Sequence, residues 1–160
     1  MKLRHLSALL CMGIVTASWA AAAETTTPGK RVWLSELDIS KTQQGWGEPQ
    51  KDKSVDGNTL RIAGRTFDRG LGTHADSALY VKLAGGSTRF TATVGLDDEA
   101  GRFGTVTFRI LGDGEEIFKT DTMKAGQPAR EVDVDVTGVD TLILLVNGGE
   151  DGINYDHADW

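Results

Sequence analysis

The last ten residues of the chain, DGINYDHADW at 151–160, concentrate side chains that could do chemistry. They combine aspartates with a histidine, an asparagine, a tyrosine and a tryptophan. Such a set is compatible with a metal site, a catalytic site, a sugar-binding surface or a polar end without a role. The remaining sequence has to distinguish these four interpretations.

Similar residue types gather in three further segments that interrupt the strand-like parts of the sequence. Residues 45–47 supply a tryptophan, residues 70–76 supply a histidine, and residues 97–99 are three consecutive carboxylates. Segments that connect strands often carry function, because the sheets hold them in place while leaving them exposed. We therefore expect the functional residues to lie in these three segments and at 151–160.

Catalysis and a zinc site are the weaker interpretations. Paired carboxylates could serve acid–base chemistry on glycosides, but short loops leave little material for a deep cleft, and no G-x-S-x-G motif is present. His74 and His157 lack a local metal-binding spacing such as H-E-x-x-H. Two imidazoles and a carboxylate could still converge in space. Acidic, glycine-rich segments suit calcium better, since calcium takes six to eight oxygen ligands. We predict that the protein is not an enzyme.

A sugar-binding surface uses the residue types that the four segments contain. A saccharide presents hydroxyls that donate and accept hydrogen bonds, and an apolar C–H face that packs on an aromatic ring. For each aspartate, the alternative is a solvated turn or cap residue. Trp33 and Trp160 are predicted to be core residues. The predicted sugar-contacting residues are Trp46, His74, Asp97, Asp98, Glu99, Asn154 and His157.

The first 23 residues have the pattern of a secretory signal peptide. Lys2 and Arg4 precede a mostly apolar stretch, and small residues before position 24 suit cleavage. Cleavage after Ala23 would remove the only cysteine, Cys11, so that no disulfide could staple the exported chain. We expect a secreted or periplasmic protein with a polar linker at 24–31 and one domain at 32–160.

The charge of the chain argues against two classes of partner. The net charge is −6 at pH 7, and loss of Lys2 and Arg4 with the leader would make it −8. Excess negative charge disfavours nucleic acid and anionic membrane surfaces. No segment after the leader is long and apolar enough to cross a bilayer. We predict neither nucleic-acid binding nor membrane insertion.

The spacing of apolar residues predicts an all-β fold, an antiparallel β-sandwich. Apolar residues alternate at 89–96 and 131–136, which is typical of half-buried strands. A Gly-Asp-Gly turn at 112–114 separates two further runs and predicts a hairpin. Residues 142–146 are apolar on both faces and predict a central strand. The full expectation is seven or eight short strands with a short helix or turn at 35–41.

The functional segments also resemble one known family. VWLSELD at 32–38, GWG at 45–47, GLGTHA at 70–75, VGLDDE at 94–99 and DGINYDHADW at 151–160 are similar, in this order, to the NPCBM domain. These domains are the family 51 carbohydrate-binding modules. The combination of GLGTHA, DDE and DHADW is specific, whereas each motif alone would be weak. The similarity covers about 32–160.

The resemblance implies a galactose-binding-like jelly-roll sandwich of the kind appended to bacterial glycoside hydrolases. It implies a glycan ligand containing galactose or N-acetylgalactosamine. Three ways of working are left open: binding alone, action with a glycoside hydrolase in trans, or action through another partner. The resemblance also implies a structural calcium ion, for which Glu36, Asp38 and Asp159 are the predicted ligands. The alternative left open is a secreted protein-interaction or structural β-sandwich without sugar binding.

Overall fold

The computed structural model describes residues 29–160. The predicted signal peptide and most of the predicted linker at 24–31 lie outside these described residues. Within the described part, no helix has the length and apolar character needed to span a membrane.

The described residues form thirteen strands and two short 3₁₀ turns, at Leu34–Glu36 and Asp98–Ala100. Every strand pair is antiparallel, which confirms the predicted all-β class. In chain order the strands are β1 (Gln43–Gln44), β2 (Gln50–Lys51), β3 (Arg61–Ile62), β4 (Arg65–Thr66), β5 (Leu71–His74), β6 (Ser77–Lys82), β7 (Arg89–Leu96), β8 (Thr105–Gly112), β9 (Glu115–Lys119), β10 (Met123–Lys124), β11 (Arg130–Asp135), β12 (Thr141–Gly148) and β13 (His157–Asp159).

Two sheets form the predicted sandwich. One has the order β1-β6-β12-β8-β10, with β9 also paired to β8, and the other has the order β11-β7-β13-β5-β2. Strands β3 and β4 form a separate hairpin. Every second residue of β8 is buried, because successive side chains of a strand point to opposite faces. The segment 142–146 lies in β12 at the centre of its sheet, as predicted.

The core is a cluster of apolar side chains from both sheets, and it holds the C-terminal segment in place. Trp160 is 6% exposed and packs edge-on against Phe108, with ring centroids 5.0 Å apart and ring planes at 87°. Full burial of a large apolar side chain contributes about 1.5–3 kcal/mol. The prediction that Trp160 is a core residue is confirmed.

Two expectations differ from the structure and a third is met. The described strands outnumber the predicted seven or eight, in part because β1, β2, β4 and β10 have only two residues each, too few for an apolar period to show. The expected short helix or turn at 35–41 is present as a 3₁₀ turn at Leu34–Glu36. Trp33 is 41% exposed, with the Arg31 guanidinium 5.6 Å from its ring centroid, so its prediction as a core residue was wrong.

The segment 70–76, expected to be a connection, and the C-terminal segment 157–160 contain two inner strands of the second sheet. β13 pairs with β5 so that His157 lies opposite His74. Gly72 of β5 interrupts the alternation of side chains by which a strand is predicted. A glycine is needed there because the backbone of Lys53 and Ser54 passes too close for a Cβ atom. This strand pairing brings together two histidines that are far apart in sequence.

Candidate functional site

Three rings, from two strands and a loop, form a cluster that we call the ring cluster: Trp46, His74 and His157. The ring centroids of Trp46 lie 5.3 Å from His74 and 5.7 Å from His157, and the two imidazoles are 5.3 Å apart. The histidines are 4% and 8% exposed, whereas Trp46 is 52% exposed. The tryptophan therefore offers most of its surface to solvent beside two largely covered imidazoles.

Two glycines allow Trp46 to reach the histidines. A Cβ atom at Gly45 would lie 2.6 Å from the Ala75 carbonyl oxygen, so the loop backbone passes directly against the end of β5. Gly47 has a φ of +67°, which residues with a side chain rarely adopt. The Gln44 side-chain amide donates to the Trp46 carbonyl at 2.7 Å. Glycine is thus needed at positions 45 and 47 for the backbone to follow this path, and Trp46 supplies the ring.

Hydrogen bonding determines which nitrogen of His74 is available. Nδ1 lies 2.6 Å from the Ala75 carbonyl oxygen, and because a carbonyl can only accept, Nδ1 carries the proton. Burial lowers the pKa of His74, against the opposing effect of this hydrogen bond, and the nearby His157 lowers the pKa further. The ring is therefore neutral at pH 7, and its Nε2 is a hydrogen-bond acceptor.

Glu99 orients His157 in the same way. Its Oε1 accepts from His157 Nδ1 at 2.9 Å and from the Asp56 backbone N–H at 3.3 Å. Its Oε2 accepts from the Ser54 hydroxyl at 2.6 Å and from the Asn58 amide at 3.0 Å. Burial raises the pKa of Glu99, but these hydrogen bonds outweigh burial and lower it overall. The ionised carboxylate can only accept, so His157 also keeps its proton on Nδ1.

Both Nε2 atoms of the ring cluster are open to a ligand. Neither has a hydrogen-bond partner among the described residues, and neither is a fully buried atom. Each therefore reaches solvent without a protein partner, next to the exposed indole of Trp46. Asp56 adds a carboxylate that is 40% exposed, with Oδ2 3.8 Å from His157 Nδ1. The sequence analysis did not single out Asp56, since an Asp-Gly pair there reads as an ordinary turn.

Asp97 and Asp98 support the site through contacts with the protein. Asp97 is 3% exposed, and its two oxygens accept from the backbone N–H groups of Arg61 at 2.8 Å and Glu99 at 2.9 Å. Asp98 pairs with the Arg61 guanidinium at 3.1 Å and accepts from the Gly64 N–H at 2.9 Å. Both carboxylates anchor the β3–β4 hairpin to the turn that carries Glu99. The sugar contacts predicted for these two aspartates stay predictions.

The three residues predicted to bind calcium do not come together. Glu36 accepts from the Trp33 backbone N–H at 3.3 Å, and Asp38 accepts from the Ser40 N–H at 3.0 Å. Asp159 is 3% exposed, with neither carboxyl oxygen hydrogen-bonded among the described residues, and it forms no cluster of metal-ligand atoms with the other two. Burial, reinforced by Asp97, raises the pKa of Asp159 well above its usual range, which favours its neutral form.

A different trio brings possible metal-ligand atoms together. Asp56, Glu99 and His157 each offer one such atom, and all three lie within 4.8 Å of one another. One nitrogen and two carboxylates do not fit calcium, which takes six to eight oxygens. Glu99 moreover has four donors around its two oxygens. We interpret this trio as the hydrogen-bonding framework of His157.

Asn154, the remaining predicted sugar contact, lines a neighbouring cleft. The cleft has a volume of about 290 Å³ and also contains Phe103 and Tyr155. These two rings are 63% and 55% exposed, with centroids 5.2 Å apart. The sequence analysis counted Tyr155 among the residue types suited to sugar binding but did not predict this aromatic pair, because nothing in the sequence indicated that Phe103 would meet it.

Asp156 is a buried carboxylate in the turn just before His157. It is 0% exposed, and Oδ1 accepts from the Thr105 N–H at 2.8 Å, while Oδ2 has no partner among the described residues. Burial, with the charges of Asp151 and Asp76, raises its pKa from 3.8 to about 6. The ionised form of Asp156 therefore destabilises the folded state near neutral pH.

Replacing Asp156 with asparagine is expected to stabilise the protein at neutral and higher pH. The folded pKa of about 6 lies above the ordinary 3.8, so the stabilising contribution of the protonated acid is complete below about pH 4 and is lost as the pH rises through 6. Asparagine keeps the acceptor for Thr105 without the charge. Urea unfolding should show a gain of up to about 3 kcal/mol at about pH 8 and little difference at about pH 4.

The matched control for this experiment is Asp135→Asn. The hydrogen bonds of Asp135 to Thr137 lower its pKa, so its neutral replacement should remove stability at about pH 8 instead of adding it. Equal stability of wild type and Asp156→Asn at both pH values would contradict the assignment of Asp156 as a destabilising buried charge.

Known proteins share both the sequence and the fold. The sequence profile of the NPCBM/NEW2 domain matches residues 30–160. Alpha-1,3-galactosidase B of Akkermansia muciniphila is 32% identical over 143 residues, which cover 87% of this chain and 18% of that protein. The chain spans less than a fifth of the length of the curated relatives it matches.

Two solved structures of carbohydrate-binding modules match this fold. One is CBM51 from Clostridium perfringens GH95 in complex with methyl-galactose, 37% identical with a TM-score of 0.73, covering 80% of this chain and 94% of that chain. The other is CBM51-2 with the INT domains of Clostridium perfringens ZmpB, in complex with GlcNAc. It is 33% identical with a TM-score of 0.76, covering 80% of this chain and 29% of that chain. The predicted resemblance and sandwich fold are confirmed. The chain therefore belongs to the NPCBM/NEW2 domain family and has the fold of the CBM51 carbohydrate-binding modules.

Proposed function

We propose that this chain is a non-catalytic module that binds galactose-type glycans at the ring cluster. The observation that carries the proposal is the pair of imidazole Nε2 atoms without a protein partner, on His74 and His157, beside the exposed indole of Trp46. Two comparisons support a galactose-type ligand: the GH95 module was solved with methyl-galactose, and the Akkermansia relative is named a galactosidase.

A galactose ring matches this arrangement on two sides. Its hydroxyls can donate to the Nε2 atoms of His74 and His157 and to the exposed Asp56 carboxylate. Its axial hydroxyl leaves the C–H groups of three neighbouring carbons together on the opposite face, and this apolar face can pack on Trp46. Glucose, whose hydroxyls are all equatorial, presents a smaller apolar patch. The ring cluster therefore favours a galactose-type sugar.

The carboxylates near the ring cluster support binding without turnover. Acid–base catalysis on a glycoside needs two carboxyl groups that reach the scissile bond from opposite sides. Both oxygens of Glu99 and of Asp97 are already occupied by protein donors, and Asp97 is buried. Each hydrogen bond to a sugar hydroxyl contributes about 0.5–1.5 kcal/mol. After the cost of association, a monosaccharide affinity of roughly millimolar to tens of micromolar is expected.

The setting in which the module works is part of the proposal. A signal peptide at 1–23 would bring the module to the periplasm or the outside of the cell, where it would hold glycans for a glycoside hydrolase acting in trans. The Akkermansia relative, of which the match covers 18%, supports this pairing of module and hydrolase. The alternative, a protein-interaction or structural sandwich, leaves these imidazole Nε2 atoms without a purpose.

Calorimetric titration of the purified protein with methyl-galactoside, N-acetylgalactosamine and N-acetylglucosamine tests the proposal. We expect saturable heat with methyl-galactoside and weaker or no heat with N-acetylglucosamine. Absence of heat with all three sugars, from a protein with cooperative unfolding, would favour the protein-interaction alternative. The calcium prediction stays a prediction, and a chelator that lowers the melting temperature would support it.

Replacing Trp46 with alanine is expected to weaken methyl-galactoside binding by about tenfold, because a lost ring–sugar contact costs about 1.4 kcal/mol. The melting temperature should barely change, since the side chain is 52% exposed. Trp33→Ala, at a tryptophan of 41% exposure outside the ring cluster, is the matched control and should bind normally. Equal affinities of both variants and wild type would remove Trp46 from the site.

A further inference from the structure

The cleft of Phe103, Asn154 and Tyr155 is built by segments that also carry residues of the ring cluster and its framework. Tyr155 precedes His157 by two residues, so their Cα atoms are at most about 7 Å apart. Phe103 follows Glu99, the partner of His157, by four residues. The two aromatic residues of the cleft are therefore held close to the ring cluster by the chain itself.

The side chains of the cleft suit a sugar ring. Phe103 and Tyr155 are among the most exposed large apolar residues described, and their tilted pair forms a broad aromatic surface. Arg102 and Lys124 add donors, and Asn154 both donates and accepts. A volume of about 290 Å³ lies at the lower limit of small-molecule sites, which suits a single ring.

The backbone holds Tyr155 in an unfavourable conformation that keeps its ring exposed. Its φ of +65° lies in the left-handed region, which a bulky residue rarely adopts. Gly104 packs against it so closely that a Cβ atom would lie 2.4 Å from the Tyr155 carbonyl oxygen. Strain of this kind persists only where the surrounding structure imposes it, and it tends to occur at functional sites.

We propose that this cleft is a second sugar subsite, which binds the residue next to the galactose in a glycan whose galactose occupies the ring cluster. This inference rests on the proposed function. Adjacent sugars share one glycosidic oxygen, so the second ring must lie at the border of the first, where the cleft is. The natural ligand is then an oligosaccharide, recognised by Trp46 at one residue and by Phe103 and Tyr155 at the next.

The test compares methyl-galactoside with lactose, N-acetyllactosamine and α-galactobiose by calorimetry. We expect at least one disaccharide to bind wild-type protein about tenfold more tightly than methyl-galactoside. Tyr155→Gly removes the ring together with the backbone strain, and Phe103→Ser removes the other ring. Both variants should bind the disaccharide no more tightly than methyl-galactoside, while their affinity for methyl-galactoside stays that of the wild type. Tyr80→Ser, at a tyrosine of 55% exposure on β6, should change neither affinity.

Two results would overturn the subsite. One is a wild-type affinity for every disaccharide within about twofold of that for methyl-galactoside. The other is that both Tyr155→Gly and Phe103→Ser still bind the disaccharide about tenfold more tightly than methyl-galactoside. Absence of methyl-galactoside binding to wild type is a separate outcome, which contradicts the proposed function at the ring cluster and the inference with it.

Discussion

Replacing Glu99 with alanine is expected to weaken methyl-galactoside binding by about 10- to 100-fold and to destabilise the protein by about 2–4 kcal/mol. The Glu99 carboxylate accepts from four donors, on Ser54, Asp56, Asn58 and His157. An alanine has no side-chain acceptor, so all four donors would lose this partner. His157 would therefore lose the bond that orients it.

The experiment combines calorimetry, urea unfolding and the imidazole NMR signals of His157. A positioning role predicts that His157 loses its fixed Nδ1–H tautomer in Glu99→Ala, a change that destabilisation elsewhere would not produce. Glu131→Ala is the matched control, because that glutamate is 69% exposed and pairs with Arg65 at 3.6 Å on the surface. Normal binding by Glu99→Ala, or an unchanged His157 tautomer, would contradict the positioning role.

Replacing Gly72 with alanine is expected to destabilise the protein by about 3 kcal/mol or more and to reduce binding with it. The added Cβ atom would lie 2.3 Å from the Lys53 carbonyl oxygen and 2.6 Å from backbone atoms of Ser54. Backbone atoms cannot swing aside as the end of a side chain can, so the segment would have to move away from β5. Ser54 would then withdraw its hydroxyl from Glu99.

Gly29→Ala is the control for this substitution. A Cβ atom at Gly29 would meet no atom within 4 Å, and that position shows no left-handed φ. Urea unfolding and calorimetry on both variants separate a steric effect from a general effect of alanine. If Gly72→Ala unfolds at the same urea concentration as Gly29→Ala, the close approach between β5 and the segment at 53–54 does not support the site.

The sequence predicted those parts of the fold in which side chains alternate without interruption. β12 was placed at the centre of a sheet from its two apolar faces, and the β8–β9 hairpin was placed from Gly112, Asp113 and Gly114. Trp160 was assigned to the core. These features could be predicted because they depend on local patterns. Burial in a strand follows the same two-residue period that the sequence shows.

The candidate site was predicted less well, because its geometry depends on long-range pairing. β5 and β13 contain glycine and polar residues, so their strand pattern is hidden, and their pairing alone places His74 opposite His157. The three carboxylates of the DDE motif look alike in sequence. Only the structure shows that Asp97 and Asp98 bind backbone N–H groups while Glu99 holds a histidine.

The most direct test of the ring cluster as the galactoside site is to follow the imidazole NMR signals of His74 and His157 while methyl-galactoside is added. Our account predicts a neutral His74 ring and a proton on Nδ1 of both histidines in the free protein. It also predicts saturable shifts of both Nε2 signals at the same sugar concentration that saturates the calorimetric heat. Saturable heat without a change at either Nε2 would place the sugar elsewhere and contradict the account.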